Sequence, residues 1–296
     1  MSAPSTHSSP WSQLGARVKT ALILVLGFLT IDILAAFTCV GRWIAFVTAL
    51  AVVTIAALEV ARFSRGYIRA VRILFGLSIL TPVVIVGAYL AAQHRCDLTV
   101  PAGASLLIGV KGALVGILLA IGVAFAVGRQ ELERVAGVMR ELPLAVFLVG
   151  IGGAALVALP LLPGGAWILL WLVLVVSVND SAAYFIGSRL GGPKLCPAIS
   201  PNKTWSGSVG GVLCGVAGGV ALGSLSTAAG WAESLPLSLG VVVAAQCGDL
   251  MKSYLKRLHG VKDSGTILPG HGGVLDRIDG ILAGGLVTYI WVVQAW

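Results

Sequence analysis

The chain has 296 residues, of which 57% are hydrophobic and only 11% charged. A soluble domain carries roughly 25% charged residues, so this chain lacks the polar surface to dissolve in water, and its apolar runs of about 18 to 22 residues suffice to cross a hydrocarbon core of roughly 30 Å as helices. The net charge of +8 is not gathered into a basic stripe on a soluble face, which argues against a nucleic-acid partner and for Lys and Arg that mark loops on one side of a membrane.

The N-terminus, Met1 to Gln13, is rich in Ser and Pro and reads as disordered, so residues 1–19 are expected to be a cytoplasmic tail. Arg17 and Lys19 precede a long apolar run without a small-x-small exit, which reads as an uncleaved first span rather than a signal peptide. Apolar runs then predict spans at 20–39, 43–61, 73–92, 104–127, 142–162, 166–187, 206–225, 235–251 and 280–295. The seventh is rich in glycine and the last is barely long enough, so the expectation is an all-α, polytopic bundle of eight or nine spans. With the N-terminus inside, Arg42 and Arg95 alone fall in outer segments and Lys111 within a span; the other 17 of the 20 basic residues fall in inner segments. The two longest polar loops, 188–205 and 252–279, then face the cytoplasm, where nucleotides and metal ions are available.

Residues 20–162 read as a transmembrane scaffold, and 163–296 as the catalytic region, where the polar residues crowd. Within the scaffold, Asp32, Glu59 and Lys111 sit in or at the ends of apolar runs, where an ionisable group is a functional candidate. For Glu59 an interfacial ion pair with the basic loop Arg62–Arg72 is as good a reading, and Lys111 has a stem long enough to snorkel. Cys39, Cys96, Cys196, Cys214 and Cys247 show no CxxC spacing, so they read as small apolar residues rather than a zinc site or a disulfide framework.

The sixth span closes on Asn179-Asp180-Ser181 and Tyr184-Phe185, and the chain runs on to Ser200-Pro201-Asn202-Lys203-Thr204-Trp205. Asp180 lies about two turns before the expected helix end, a costly depth for a carboxylate without a metal or a cation beside it. Lys203, between Pro201 and a Trp205 expected at the interface, is well placed for a phosphate. Packing alone explains Tyr184 and Trp205 equally well.

The densest polar stretch follows. It holds four carboxylates, Asp249, Asp263, Asp276 and Asp279, which are hard oxygen donors suited to Mg²⁺. It also holds four cations, Lys256, Arg257, Lys262 and Arg277, able to clamp phosphate oxygens, and a Pro269-Gly270-His271-Gly272-Gly273 turn that lets backbone approach a ligand. Carboxylates interleaved with cations at a membrane surface suit a metal–polyphosphate site better than a loop that only anchors topology.

The segment from Ser253 to Asp279 reads SYLKRLHGVKDSGTILPGHGGVLDRID. It resembles, position by position, the signature S-x-L-K-R-x4-K-D-x-G-x2-L-P-x-H-G-G-x-x-D-R-x-D of the phosphatidate cytidylyltransferases. The upstream SPNKTW and Asp180-x-Ala-Ala-Tyr-Phe-x-Gly187 are similar to two further family motifs, in the same order; the likeness covers about residues 175–285, with Ala57-Leu58-Glu59 a faint echo of a family Leu-Glu-Trp. Two positions depart: the family often has Glu where this chain has Ser206 and usually has Glu where it has Lys252, so two carboxylates are absent.

The resemblance implies transfer of the cytidylyl group from CTP to phosphatidic acid in a lipid bilayer, giving CDP-diacylglycerol and pyrophosphate. It implies Asp249 and Asp276 as the main metal ligands, with Asp180 in or beside the same cavity; Mg²⁺ as the ion, with a second cation compatible; and Lys203, Lys256, Arg257 and Lys262 as phosphate binders supported by Arg277 and His271. Asp263 and Asp279 are either ligands or partners that hold Lys and Arg in place. It further implies a homodimer in a bacterial inner membrane. A CTP-dependent polyprenol kinase, an inactive paralogue and a transporter are the competing readings, the last disfavoured because no paired interrupted helices are visible.

Overall fold

The computed structural model describes residues 10–63, 73, 76–87, 111, 114, 118, 132–226, 231–265, 267–268 and 272–295. Helix α1 (Pro10–Phe37) already starts ten residues before the first expected span. It is followed by α2 (Cys39–Phe63) and a short apolar helix α3 (Gly76–Gly87). A longer rod comes next: α4 (Leu132–Ala145), a wide π-helical turn at Val146–Ile151, α5 (Gly152–Ala158), and a 3₁₀ turn at Leu159–Leu161. Pro143 sits inside α4, where it removes one backbone donor just before the helix widens. Helix α6 (Gly165–Leu190) leads into a small antiparallel hairpin of β1 (Lys194–Cys196) and β2 (Ser200–Thr204). Helices α7 (Trp205–Ser226), α8 (Trp231–Leu258) and α9 (Leu275–Ala295) complete the described chain.

Six described helices are long and apolar enough to cross a membrane: Lys19–Phe37, Cys39–Phe63, Arg140–Leu161, Gly165–Leu190, Trp205–Gly223 and Trp231–Leu258. The chain is therefore a multi-pass membrane protein. Its outer surface agrees with this. Leu22, Ile23, Leu24, Val25 and Leu26 are exposed consecutively on α1, so every side of that helix presents apolar surface, as lipid contact requires. Most of the expected span at 104–127 lies outside the described residues, as do residues 1–9 and 88–92. Helix α9 covers the expected 280–295 span.

The bundle is all-α as expected, and two local features differ from the expected loops and span ends. The hairpin β1–β2 stands where a loop was expected, because Gly191 (φ 62°) and Gly192 (φ 101°) adopt the left-handed conformations that reverse the chain after α6. Helix α8 also continues seven residues beyond the expected span end at 251, so six of the seven residues of the SYLKRLH segment are helix rather than loop.

The Arg140–Leu161 rod is the most buried of the six, and its Leu142, Val149, Val157 and Leu159 are fully enclosed. Close approach elsewhere rests on glycines, since helices in lipid associate chiefly by packing. On α7, a Cβ at Gly219 would stand 2.8 Å from the Cβ of Ser238 on α8. The same residue's carbonyl accepts a 2.9 Å hydrogen bond from Trp171 Nε1 on α6, so one small residue joins three helices. Gly219→Val is expected to cost about 1–3 kcal/mol through overpacking. Thermal unfolding in detergent measures this, and an unchanged Tm would contradict so close a contact. Asp32 is buried on α1, and Oδ1 has no hydrogen-bond partner among the described residues. Cys39, Cys196, Cys214 and Cys247 are free thiols, and Cys96 lies outside the described residues.

Candidate active site

The ends of α6, α7, α8 and α9 and the β1–β2 hairpin enclose a cavity of about 680 Å³. That size suits a nucleotide-scale ligand. Its wall includes Asp180, Lys203, Asp249, Lys252, Asp276 and Asp279.

Helical spacing sets the first group. Asp249, Lys252 and Lys256 stand at i, i+3 and i+7 on α8, so they share one face. Asp276 and Asp279 share a face of the first turns of α9 in the same way. Gly248 lets the two helices meet, since a Cβ there would lie 2.7 Å from the Asp279 carbonyl oxygen. The charges interlock as a result. Lys252 Nζ lies 2.8 Å from Asp249 Oδ1, 2.7 Å from Asp279 Oδ2 and 3.7 Å from Asp276 Oδ1. Lys256 Nζ donates to Asp276 Oδ1 at 2.6 Å.

The hairpin brings Lys203 back over this face, where it pairs with Asp249 Oδ2. Three contacts hold the hairpin. Trp205 N–H donates to the Pro193 carbonyl at 3.0 Å, Arg257 Nε donates to the Ile199 carbonyl at 3.1 Å, and the Ser206 hydroxyl donates to the Gly191 carbonyl. Thr204 caps α7, its hydroxyl accepting from Gly207 N–H at 3.1 Å. Ser206 thus does structural work at a position where a carboxylate is absent.

Asp180 is oriented by a buried relay. Gln246 Nε2 donates to Asn179 Oδ1 at 2.9 Å and to the Ser208 carbonyl at 3.0 Å, and Asn179 Nδ2 donates to Asp180 Oδ1 at 2.9 Å. Asn179 is fully buried, so this amide pair ties α6, α7 and α8 together beneath the carboxylate.

Asp276 is the most heavily hydrogen-bonded of the carboxylates. Its Oδ2 accepts from Ser264 N–H at 2.8 Å, from Ser264 Oγ at 2.9 Å and from Gly273 N–H at 3.4 Å. Burial alone would push its carboxyl up, but the donors from Lys256 and Ser264 outweigh that and hold it below the usual carboxylate range.

Behind Asp276 lies Glu59, a residue that sequence reasoning left between an ion pair and a functional role. It is fully buried on α2. It accepts from Val274 N–H at 2.9 Å, Leu275 N–H at 2.9 Å and Ser264 Oγ at 3.0 Å. A carboxylate at the α9 N-terminus satisfies orphan backbone donors and matches the positive end of the helix dipole. Gly265 makes the approach feasible, since a Cβ there would stand 2.6 Å from Glu59 Oε1. The separation of about 200 residues between Glu59 and its partners left no local signal. Gln246 was missed for a related reason: a lone amide in an apolar run has no distinctive spacing.

The remaining candidates are not brought to the cavity wall. Arg257, Lys262, Asp263 and Arg277 are exposed on the same side of the bundle but do not line it. His271 lies outside the described residues.

The donor set fits a single divalent cation. Among the described residues no three His, Cys, Asp or Glu side chains are placed together as a ready-made metal cage. Mg²⁺ does not need one; it is usually held by one or two carboxylates, with water and substrate phosphates completing its shell. Asp180 and the part-exposed Asp249 both face the cavity and offer those oxygens.

A family model described as the cytidylyltransferase family matches residues 16–294. Proteins named phosphatidate cytidylyltransferase are similar over shorter stretches. One from Brucella suis biovar 1 is 50% identical over 130 residues, which cover 44% of this chain and 48% of that protein. One from Helicobacter pylori (strain 26695) is 46% identical over 136 residues, 45% of this chain and 50% of that protein. One from Mycobacterium leprae is 38% identical over 137 residues, 46% and 43% respectively. The matched segment thus spans about half the length of these curated relatives. With nearly its whole length matched by the family model, the chain belongs to the cytidylyltransferase family.

Proposed function

We propose that this member of the cytidylyltransferase family joins CTP to phosphatidic acid at a cytoplasm-facing site, giving CDP-diacylglycerol and pyrophosphate. The observation that carries this reading is the convergence of four carboxylates with Lys194, Lys203 and Lys252 on one cavity at the ends of membrane helices. The names of the relatives support the substrates.

A phosphatidate phosphate is already a nucleophile, so no Ser, Cys or His nucleophile is required. One of its oxygens attacks the α-phosphorus of CTP; the bond from that phosphorus to the bridging oxygen breaks, and pyrophosphate leaves with its electron pair. The protein's task is alignment and neutralisation of charge. Lys203, on the well-tied hairpin strand β2, is part-exposed in the cavity wall and binds triphosphate oxygens there. Lys252 and Lys256 set the positive field beneath the leaving group, and Asp276 holds Lys256 in place. Mg²⁺, held by Asp249 with Asp180, supplies further positive charge to the triphosphate when bound. Arg257, Lys262 and Arg277, exposed beside the cavity, meet the lipid phosphate as it arrives from the leaflet. The bias of Lys and Arg toward the segments on this side supports that orientation.

The test is transfer of labelled CMP from CTP to phosphatidate by the purified protein in detergent. The expected products are CDP-diacylglycerol and pyrophosphate; a phosphorylated lipid with CDP would instead assign a kinase. EDTA is expected to bring transfer to background and excess Mg²⁺ to restore it. Full activity in EDTA would remove the metal from the scheme.

A further inference from the structure

We propose that Lys252 is a cation built into the active site, which takes the charge role of a metal ion and leaves this chain's site to bind a single divalent cation. The inference rests on the assignment of this cavity as the nucleotide site. The Lys252 side chain is only 8% exposed, and its ammonium contacts Asp249 and Asp279 at 2.8 and 2.7 Å with Asp276 at 3.7 Å. An ammonium has three N–H donors and no acceptor, so three surrounding carboxylates are the coordination a lysine can satisfy. Asp279 Oδ2 is buried, and the Lys252 ammonium 2.7 Å away is the cation that balances it.

A lysine buried this deeply would be costly without those partners, and the carboxylates would be equally costly without it. The charge balance gives the consequence. Asp180, Asp249, Asp276 and Asp279 stand in the cavity wall with Lys194, Lys203 and Lys252, and Lys256 pairs with Asp276, so the formal charges of the cluster balance. A glutamate at 252 would leave two surplus negative charges in the same count. The difference is two unit charges, which is the charge of one divalent ion. A lysine here therefore substitutes for an ion that would otherwise be drawn from solution, and it cannot be removed by chelation.

The number of bound ions tests this without reference to turnover. Purified protein in detergent is titrated with Mn²⁺ alone, and free Mn²⁺ is read by electron paramagnetic resonance. One Mn²⁺ per chain is expected for the native sequence and two for Lys252→Glu. Two ions in the native protein, or none, would overturn the proposal, as would a folded Lys252→Glu that still binds one. Because a buried glutamate risks misfolding, Lys252→Met provides a second reading: loss of the ammonium is expected to tighten Mn²⁺ binding by about tenfold or more. Unaltered affinity in that variant would also overturn it. A protein that shows the expected Mn²⁺ counts yet makes no CDP-diacylglycerol would leave the role of Lys252 standing and remove only the substrate assignment.

Discussion

Asp276→Asn is expected to lower kcat/KM for cytidylyl transfer by about a thousandfold, the scale set by loss of a preorganised charge in a site that stabilises developing charge. The substitution preserves shape but changes three things together. An amide nitrogen would confront Ser264 N–H or Ser264 Oγ, which now donate to Asp276 Oδ2 at 2.8 and 2.9 Å. Lys256 would lose its 2.6 Å carboxylate partner, and Lys252 its third. Both ammoniums would then be free to settle elsewhere, so triphosphate would meet a displaced positive field. The labelled-CMP assay with a matched thermal-unfolding control checks the result. A variant that keeps its fold and stays within tenfold of the native rate would show that Asp276 is not central. Because native contacts hold the Asp276 carboxyl below the ordinary range, the stability it lends is present at neutral pH. That stability is lost only as pH falls through the lowered value.

The membrane spans and the chemical content of the site were legible in the sequence for different reasons. Apolar runs report burial in lipid directly, so α6, α7 and α8 stand where hydropathy places them. The motifs and the polar stretch around them reported the residue types: Asp180, Lys203, Asp249, Asp276 and Asp279 do line one cavity. What was not legible is how those charges pair. Polarity after residue 251 read as loop, although Asp249, Lys252 and Lys256 already carried a helical spacing that the structure uses. The position of Lys252 looked like a lost carboxylate, whereas in three dimensions it is a gained cation among three acids. The hairpin was hidden because β1 and β2 are three and five residues long, too short for an alternating pattern to declare itself. Contacts between segments far apart in sequence leave no periodicity at all, and Glu59 is the clearest instance.

Glu59→Gln is expected to weaken Mn²⁺ binding and to lower kcat by about 10- to 100-fold, while KM for CTP changes less, as is common when a support one layer behind a metal site is removed. Glu59 does not line the cavity; it acts through the loop that shapes it. Its two oxygens receive Val274 N–H, Leu275 N–H and Ser264 Oγ, and Ser264 in turn fixes Asp276 Oδ2. Gln retains one acceptor and turns the other into a donor. At least one of the α9 N–H groups, or the Ser264 hydroxyl, then faces a donor in a site with no exposure to water. The first turn of α9 must shift, and Asp276 and Asp279 shift with it, displacing the Lys252 ammonium that pairs with both of them and with the metal-binding Asp249. A purely architectural role for Glu59 would lower Tm and leave Mn²⁺ affinity and kcat of the folded fraction unchanged, so these readouts distinguish the two cases. Glu59→Asp, which keeps both acceptors on a shorter stem, is expected to recover part of the activity; Glu59→Gln with native Mn²⁺ affinity would break the link from α2 to Asp276. The scaffold half of the bundle would then contribute packing alone, whereas the geometry gives it a hand in the chemistry: α2 supplies the buried charge that anchors the helix on which two of the site's four carboxylates stand.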